Sequence, residues 1–238
     1  MTRIAPSAGG PVESREWPKE LLARAIGPGR ERRIFGYDVE RDLAKNYAFS
    51  DALLLGLTGE LPDVPRARGF AIALTFASAM SVGEAPMHAA VLSRVCGVRT
   101  GGILAVAMIA LGEQVDTLLR RMEPIFGADP AGAALPDDLL ARDDDERQSI
   151  ADLRSLLDGI LDVPLLASDI GREAAVLCVL RACGLTTSFQ VGSAFSIARL
   201  PSVLAEVGAT KVGDFKTYPM DVPHFEYDPS LGPAGERP

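Results

Sequence analysis

Cysteine, histidine and tryptophan are scarce in this chain of 238 residues, which contains three, two and one of them. The cysteines, Cys96, Cys178 and Cys183, are odd in number and lie in apolar segments, without the paired spacing of a zinc site or a disulfide framework. We therefore expect neither a metal site nor a disulfide. The sequence predicts three buried thiols in a reducing compartment.

Positive charge is also low, since 24 Lys and Arg residues are set against 32 Asp and Glu residues, for a net charge of -8. Nucleic acids are bound by clustered Lys and Arg that neutralise phosphates, so this balance argues against a nucleic-acid partner. The first 20 residues lack a charged-then-apolar leader, and the most apolar stretch, 101–111, is too short to span a bilayer of about 30 Å. We predict a cytoplasmic protein with no membrane partner.

Hydrophobic residues make up 47% of the chain, which is enough for a sizeable core. Residues 1–18 are rich in Pro, Gly and Ser and predict a flexible arm that Trp17 could anchor. The five prolines of residues 219–238 predict an extended tail, which also holds His224. Between these ends, residues 19–218 are expected to form one helical domain.

The periodicity of the apolar residues within 19–218 is that of helices. Ser50 is the expected cap of a leucine-rich helix that Gly59 and Pro62 end. The run 101–126 is apolar on nearly every face, so we expect it at the centre of the core. The acidic, turn-rich stretch 127–148 predicts a surface excursion between two packed halves. Without a convincing strand pattern, the predicted fold is mainly α, with further helices in 68–80, 87–98, 172–184 and 188–208.

Three segments resemble the citrate synthase and citryl-CoA lyase family. They are IFGYDVERDLAKNYAFSDALLLGLTGELP, VLRACGLTTSFQVGSAFSIARLPSVLAEV and the closing YDPSLGPAGERP. With the helices between them, the resemblance extends over residues 17–238. It implies a mostly helical dimer with a large domain and a small domain that binds acyl-CoA and makes or breaks a carbon–carbon bond. The interval 113–168 is much shorter than its counterpart in the family, so we expect a reduced small domain there.

In the family, a histidine in a glycine-rich turn polarises the thioester carbonyl, and the resemblance places Asp116 at that position. A carboxylate cannot donate a hydrogen bond to an enolate oxygen unless it is protonated. The two glycines that follow in the family are replaced by Thr117 and Leu118, which favour a continuous helix. Asp116 is then either a degenerate position on a solvated helix end or, together with Glu113, a sign of altered chemistry. The family's second histidine has no counterpart between residues 120 and 165.

The resemblance implies three further site residues, and His88 is a candidate outside it. The family's aspartate base corresponds to Glu173, or to Asp169 if a short insertion is allowed; the alternative for Glu173 is a surface or interface carboxylate. Arg199 corresponds to an arginine that binds the substrate carboxylate; the alternative is a structural tie between a helix end and a neighbouring acidic group. His88 does not match a family histidine and is either structural or a replacement donor.

Two functions from different classes follow. The first is a non-catalytic or partner-dependent subunit that forms a homodimer, or a heteromer with an active paralogue, through a shared helical layer. The alternative is a citryl-CoA lyase-like or citrate synthase-like enzyme with altered catalytic residues, using acyl-CoA as substrate and no covalently bound cofactor. A third hypothesis is a sensor that binds an acyl-CoA or a tricarboxylate at Arg199 without turnover.

Overall fold

The computed structural model describes residues 24–26, 32–127, 135–167 and 169–214, and this part of the chain is mainly helical, as predicted. The predicted arm 1–18 and tail 219–238, with Trp17 and His224, lie outside the described residues. The elements are β1 (Arg33–Ile34), β2 (Tyr37–Asp38), a π-helical turn (Val39–Leu43), α1 (Ala44–Asn46), α2 (Phe49–Thr58), α3 (Val64–Ala77), α4 (Ala85–Val95), α5 (Thr100–Gly127), α6 (Asp144–Leu157), α7 (Arg172–Ala182) and α8 (Ser188–Ala209). Two 3-10 turns, Asp137–Leu139 and Pro164–Ala167, flank α6.

The Gly-Tyr-Asp segment that carries part of the resemblance forms a small hairpin and a helix cap. β1 and β2 pair antiparallel, and the two residues between them, Phe35 and Gly36, have φ of 47° and 88°. Positive φ at both positions is typical of the tight turns whose twist matches that of paired strands. Asp38 then accepts hydrogen bonds from the backbone N–H groups of Glu40 and Arg41 at 3.0 and 2.7 Å. The motif is therefore structural here.

The helix α2 ends where the sequence predicts but begins differently. Gly59 terminates it in the left-handed region, with φ of 82°, and its N–H returns to the Leu55 carbonyl. The prediction that Ser50 caps the helix is wrong, since the N-cap is Ala48. The carboxylate of Asp51 accepts from the Ala48 N–H at 2.9 Å and satisfies the N-terminus from within the first turn.

The residues group into two compact units. Of the described residues, those within 1–73 and 130–194 form the first unit and those within 74–129 and 195–238 form the second, so that α3 and α8 each contribute to both. The region 113–168, expected to be a reduced small domain, is divided between them at residue 130.

The core of the first unit is built around α7. Seven consecutive residues of this helix, 174–180, are buried, so it is covered on every face. α6 packs beside it and buries Ile150, Leu153 and Leu157, which recur at the three- and four-residue spacing of one helical face. α6 begins inside the stretch predicted to be a turn-rich surface excursion, so the chain is helical there from Asp144 onward, although Asp144, Asp145 and Gln148 are exposed.

The core of the second unit lies between α4, α5 and the C-terminal part of α8. Its members are Met87, Ala90, Val91, Val95, Ile103, Ala107 and Val203. α5 contributes one buried stripe, which continues through Leu111 and Val115. Val106 and Ile109, on its other faces, are exposed. The prediction that this helix is central to the core is therefore wrong, because only 28% of its most apolar window is buried.

The apolar part of α5 is also longer than the sequence suggested. Thr100–Glu123 has the length and mean hydropathy to cross a membrane, which overturns the inference that the apolar stretch is too short. The core helix of a soluble protein passes the same test of length and composition. Here α5 packs along α4 with its buried stripe inward.

The three cysteines differ in burial, which corrects the prediction of three buried thiols. Cys178 and Cys183 are buried, whereas Cys96 is exposed where α4 ends. Burial raises the pKa of the Cys178 thiol to about 12, against a smaller opposing effect of Arg181. Burial likewise raises the pKa of the Cys183 thiol to about 12, and the charge of Arg66 opposes it. Both thiols are therefore inert, because the thiolate is the reactive form.

We expect a thiol reagent at pH 8 to modify one cysteine per folded chain and two more after denaturation. Absorbance of the released chromophore measures both numbers. Cys96→Ser should abolish labelling of the folded chain. Labelling of Cys178 or Cys183 in the folded Cys96→Ser variant, at a rate comparable to that of Cys96, would contradict the buried placement.

Candidate functional site

The predicted anion-binding residue, Arg199, lies buried on α8. Its side chain is only 3% exposed, and its guanidinium lies over the ring of Phe195, one helical turn earlier, at 4.8 Å from the ring centroid. A cation over an aromatic face is attracted by the ring's negative face. The helix therefore supplies both the charge and the surface against which it packs.

A carboxylate of the same chain pairs with this guanidinium. Nη1 of Arg199 donates a hydrogen bond to Oε2 of Glu84, the residue that precedes α4. The same oxygen accepts from the side-chain amide of Gln114 on α5 at 2.9 Å. Oε1 of Glu84 accepts from the backbone N–H of Ser81 at 3.0 Å. We call Arg199, Glu84, Gln114 and Phe195 the arginine cluster.

The orientation of the Gln114 amide is fixed by the arginine. Its carbonyl oxygen accepts from Nη1 of Arg199 at 3.3 Å, so its NH2 group points to Glu84. The amide thus accepts from the Arg199 guanidinium and donates to the Glu84 carboxylate. An amide that is hydrogen-bonded to both members of a buried ion pair helps to fix the geometry of that pair.

The charge state of Glu84 follows from these contacts. Partial burial by itself raises the pKa of the carboxyl group. The hydrogen bonds from Gln114 and Ser81 and the positive charge of Arg199 outweigh that effect, so the pKa is lowered overall. Glu84 is ionised at neutral pH and neutralises the guanidinium.

The arrangement corresponds to one of the two interpretations of Arg199 made from the sequence. The arginine ties α8 to a neighbouring acidic group at the start of another helix. Its role as a clamp for a substrate carboxylate stays a prediction. Glu84 and Gln114 were not predicted from the sequence, since they are 115 and 85 residues from Arg199 along the chain.

Asp116 lies on an uninterrupted helix. α5 runs from Thr100 to Gly127 through this position, which confirms the prediction that Thr117 and Leu118 continue the helix. The Asp116 side chain is exposed, and the backbone carbonyl of Asp116 accepts from Nε of Arg120 at 3.3 Å. No glycine-rich turn forms in this part of the described chain.

The remaining candidates lie in two different units. His88 belongs to the second unit and is exposed in the first turn of α4, one turn after Glu84. Glu173 belongs to the first unit and lies half-buried in the first turn of α7. A carboxylate in that position is favoured by the helix dipole, which is a structural reason for an acidic residue there.

Asp169, the alternative base, is engaged in an ion pair. Its Oδ1 accepts from Nε of Arg147 at 2.9 Å, and both side chains are 48% exposed. The interaction with Asp169, together with that of Asp144, raises the pKa of the Arg147 guanidinium. The pair links α6 to the segment before α7, so Asp169 has a structural partner within its own unit.

A cavity of about 440 Å³ opens in the first unit beside the loop that follows α6. Leu157, Leu161 and Leu166 form apolar parts of its wall, while Arg154, Asp158 and Asp162 supply charge. None of the site residues predicted from the sequence lines it. Across the described ranges, no group of three or more His, Cys, Asp or Glu side chains is placed to hold a metal ion.

Comparison with known proteins finds similarity in structure and not in sequence. No protein-family model matches the chain, and no curated protein does. A citryl-CoA lyase from Hydrogenobacter thermophilus superposes with a TM-score of 0.66 at 17% identity, over 90% of this chain and 98% of that one. The predicted citrate synthase and citryl-CoA lyase-like fold is confirmed.

Two larger structures share the fold. An ATP citrate lyase variant from Methanosaeta concilii in complex with (3S)-citryl-CoA superposes with a TM-score of 0.63 at 10% identity. The ATP citrate lyase from Methanothrix soehngenii, in complex with citrate and coenzyme A, does so with a TM-score of 0.60 at 10% identity. This chain spans 43% of the length of each, so it corresponds to part of those enzymes.

Proposed function

We propose that this protein is a non-catalytic or partner-dependent subunit with a citryl-CoA lyase-like fold. The observation that carries the proposal is the continuous α5, with an exposed carboxylate at position 116 where the resemblance calls for a histidine in a turn. The reaction would need a donor for the developing enolate oxygen, and the imidazole that supplies it in the family is absent from this position.

The expected loss of catalytic rate follows from the two family histidines that have no counterpart in this chain. Loss of one positioned acid–base group costs roughly 10²–10⁴ in rate. Loss of an oxyanion donor costs roughly 10²–10³. Two such losses together would take turnover to background unless other side chains replaced them.

The arginine cluster supports the same proposal. A substrate carboxylate would have to displace Glu84, which is held by three hydrogen bonds and neutralises Arg199. Burial of a charged pair leaves little net attraction for another anion. The best-matched site residue is therefore already occupied by the chain itself.

We further infer that α5 associates with another chain of this fold, either a second copy or an active paralogue. Gly101, Ala105 and Ile109 recur every four residues on α5 and are exposed, with Val106 beside them. One face of a helix is thus apolar and uncovered, which is typical of a surface that a partner buries. The protein would act in the cytoplasm, with acyl-CoA or a small carboxylate as the ligand that the assembled partner binds.

An enzymatic function is the alternative, and one observation favours it: the chain spans almost the whole length of a citryl-CoA lyase. In that case Glu173 or Asp169 would be the base, Arg199 the carboxylate clamp and His88 the donor. The reaction would break or form a carbon–carbon bond in an acyl-CoA substrate.

Incubation of the purified protein with citryl-CoA, and separately with acetyl-CoA and a keto acid, separates the two functions. We expect no product above background at high protein concentration, and co-purification from the native host should yield a paralogue or a second copy. Mass spectrometry measures both outcomes. Turnover by the protein alone that is lost in Glu173→Gln, and retained in a matched Glu146→Gln control, would establish the enzyme instead.

A further inference from the structure

The cavity beside the end of α6 is formed by one continuous segment of the first unit. All the residues that line its volume of about 440 Å³ lie between Arg154 and Leu166. Volumes of roughly 300–1,000 Å³ are typical of small-molecule sites. The lining includes no member of the arginine cluster and no residue of α5, so the proposed function does not use this cavity.

The backbone around the cavity is tied on both sides. The chain leaves α6 after Leu157, and the N–H groups of Ile160 and Leu161 both donate to the Leu157 carbonyl, at 2.9 and 3.0 Å. On the other side, Nη2 of Arg154 donates to the backbone carbonyl of Leu166. The cavity is therefore formed by the chain itself and does not depend on a ligand for its shape.

The deep part of the cavity is aliphatic. Leu157 and Leu166 are each only 2% exposed, and Leu161 and Val163 are half-buried. A Cβ atom at Gly69 on α3 would lie 3.0 Å from Cδ2 of Leu161, so this leucine packs closely against the neighbouring helix. These side chains suit an aliphatic group, because burial of apolar surface is favourable.

The opening of the cavity carries charges that are not paired with one another. Arg154, Asp158 and Asp162 line it and are exposed. Opposite charges four residues apart pair on a helix, but α6 ends at Leu157 and Asp158 has an extended backbone, with ψ of 131°. Within the part of the chain that the structure describes, none of the three forms an ion pair. One cation and two anions are thus left for a ligand.

We propose that this cavity binds a zwitterion with an aliphatic body, namely an apolar α-amino acid such as leucine. The Arg154 guanidinium pairs with the carboxylate of the ligand, and Asp158 and Asp162 pair with its ammonium group. The leucine side chains of the wall receive its aliphatic part. Because two carboxylates are set against one guanidinium, a ligand with negative charge alone is disfavoured.

Isothermal titration calorimetry of the full chain with leucine tests the proposal. We expect saturable binding with a Kd of about 1 mM or lower. Isoamylamine lacks the carboxylate, isocaproate lacks the ammonium group and glycine lacks the aliphatic body, so each should bind at least about tenfold more weakly. A titration with leucine that shows no saturable binding overturns the proposal. Binding of any of the three analogues as tight as that of leucine overturns it as well.

Substitutions at the opening locate the bound leucine. Asp158→Asn/Asp162→Asn should weaken leucine binding by about tenfold or more, because it removes the charge that faces the ammonium group. Asp152→Asn is the matched control, since Asp152 is an exposed carboxylate on α6 outside the cavity. It should bind leucine as the unaltered protein does.

Leucine binding that is equally tight in the double variant and in the unaltered protein would place the ligand elsewhere and overturn the assignment. If thermal unfolding shows that the double variant is not folded, Asp162→Asn alone takes its place under the same criterion. The experiment measures neither turnover nor association, so its result is independent of the proposed function.

Discussion

Replacing Glu84 by alanine is expected to lower the free energy of unfolding by about 3–5 kcal/mol, because it leaves the Arg199 guanidinium buried without its counter-ion. Urea denaturation followed by circular dichroism measures the loss. Asp169→Ala is the matched control, since it removes a carboxylate from an ion pair whose side chains are half exposed. It should change the free energy of unfolding little, because a solvent-exposed ion pair contributes little to stability.

The same buried pair predicts that a second substitution restores stability, whereas loss of contacts alone predicts a further decrease. Arg199→Met in the background of Glu84→Ala removes the uncompensated charge, so the double variant should be more stable than Glu84→Ala alone. Replacement of both members of a buried pair by apolar groups is often neutral or stabilising. A double variant no more stable than the single one would show that the loss comes from packing and not from charge.

Ile109→Asp is expected to weaken self-association or paralogue binding by about a hundredfold, which corresponds to about 2.7 kcal/mol. Ile109 is 68% exposed in the single chain, on the apolar face that we infer a partner covers. An aspartate there would have to be desolvated on association without a partner for its charge. Sedimentation velocity over a concentration series measures the dissociation constant.

Leu156→Asp is the matched control, because Leu156 is an aliphatic residue 55% exposed on α6, in the first unit. It should leave association unchanged. A protein that stays monomeric both at high concentration and with its paralogue contradicts the inferred interface. If that monomer instead co-floats with neutral lipid vesicles in a density gradient, the apolar face of α5 binds a membrane.

The helices were predictable where local periodicity decides them, and the exceptions have physical causes. The bounds of α7 follow from REAAVLCVLRACG, with an arginine start and a glycine after the last turn. α6 was missed because its first turn, with Asp144, Asp145 and Glu146, has the composition of a solvated loop. Those acidic residues favour a helix N-terminus, and only Ile150, Leu153 and Leu157 reveal the buried face.

Burial was less predictable than helicity. α5 and α7 are both apolar on most faces, yet α7 is buried throughout and α5 is mostly uncovered. Sequence periodicity gives the faces of a helix and not the number of neighbours packed against it. Cys96 illustrates the same limit, since it lies in an apolar segment but at a helix end.

The candidate site was predictable in part for a similar reason. Arg199 stood out because a resemblance placed it, whereas Glu84 is 115 residues away and resembles any acidic residue before a helix. Pairing across such a distance depends on tertiary structure. Phe195, four residues from Arg199 on the same helix, was the one partner that helical spacing could have suggested.

The unbroken course of α5 limits what a single substitution at position 116 could achieve. The helix passes through position 116 without a turn, and its exposed apolar residues precede this point on the same helix. A histidine substituted for Asp116 alone would lie on an exposed position of a continuous helix. A side chain presented from a turn at this position would therefore require a change of backbone conformation as well as a substitution.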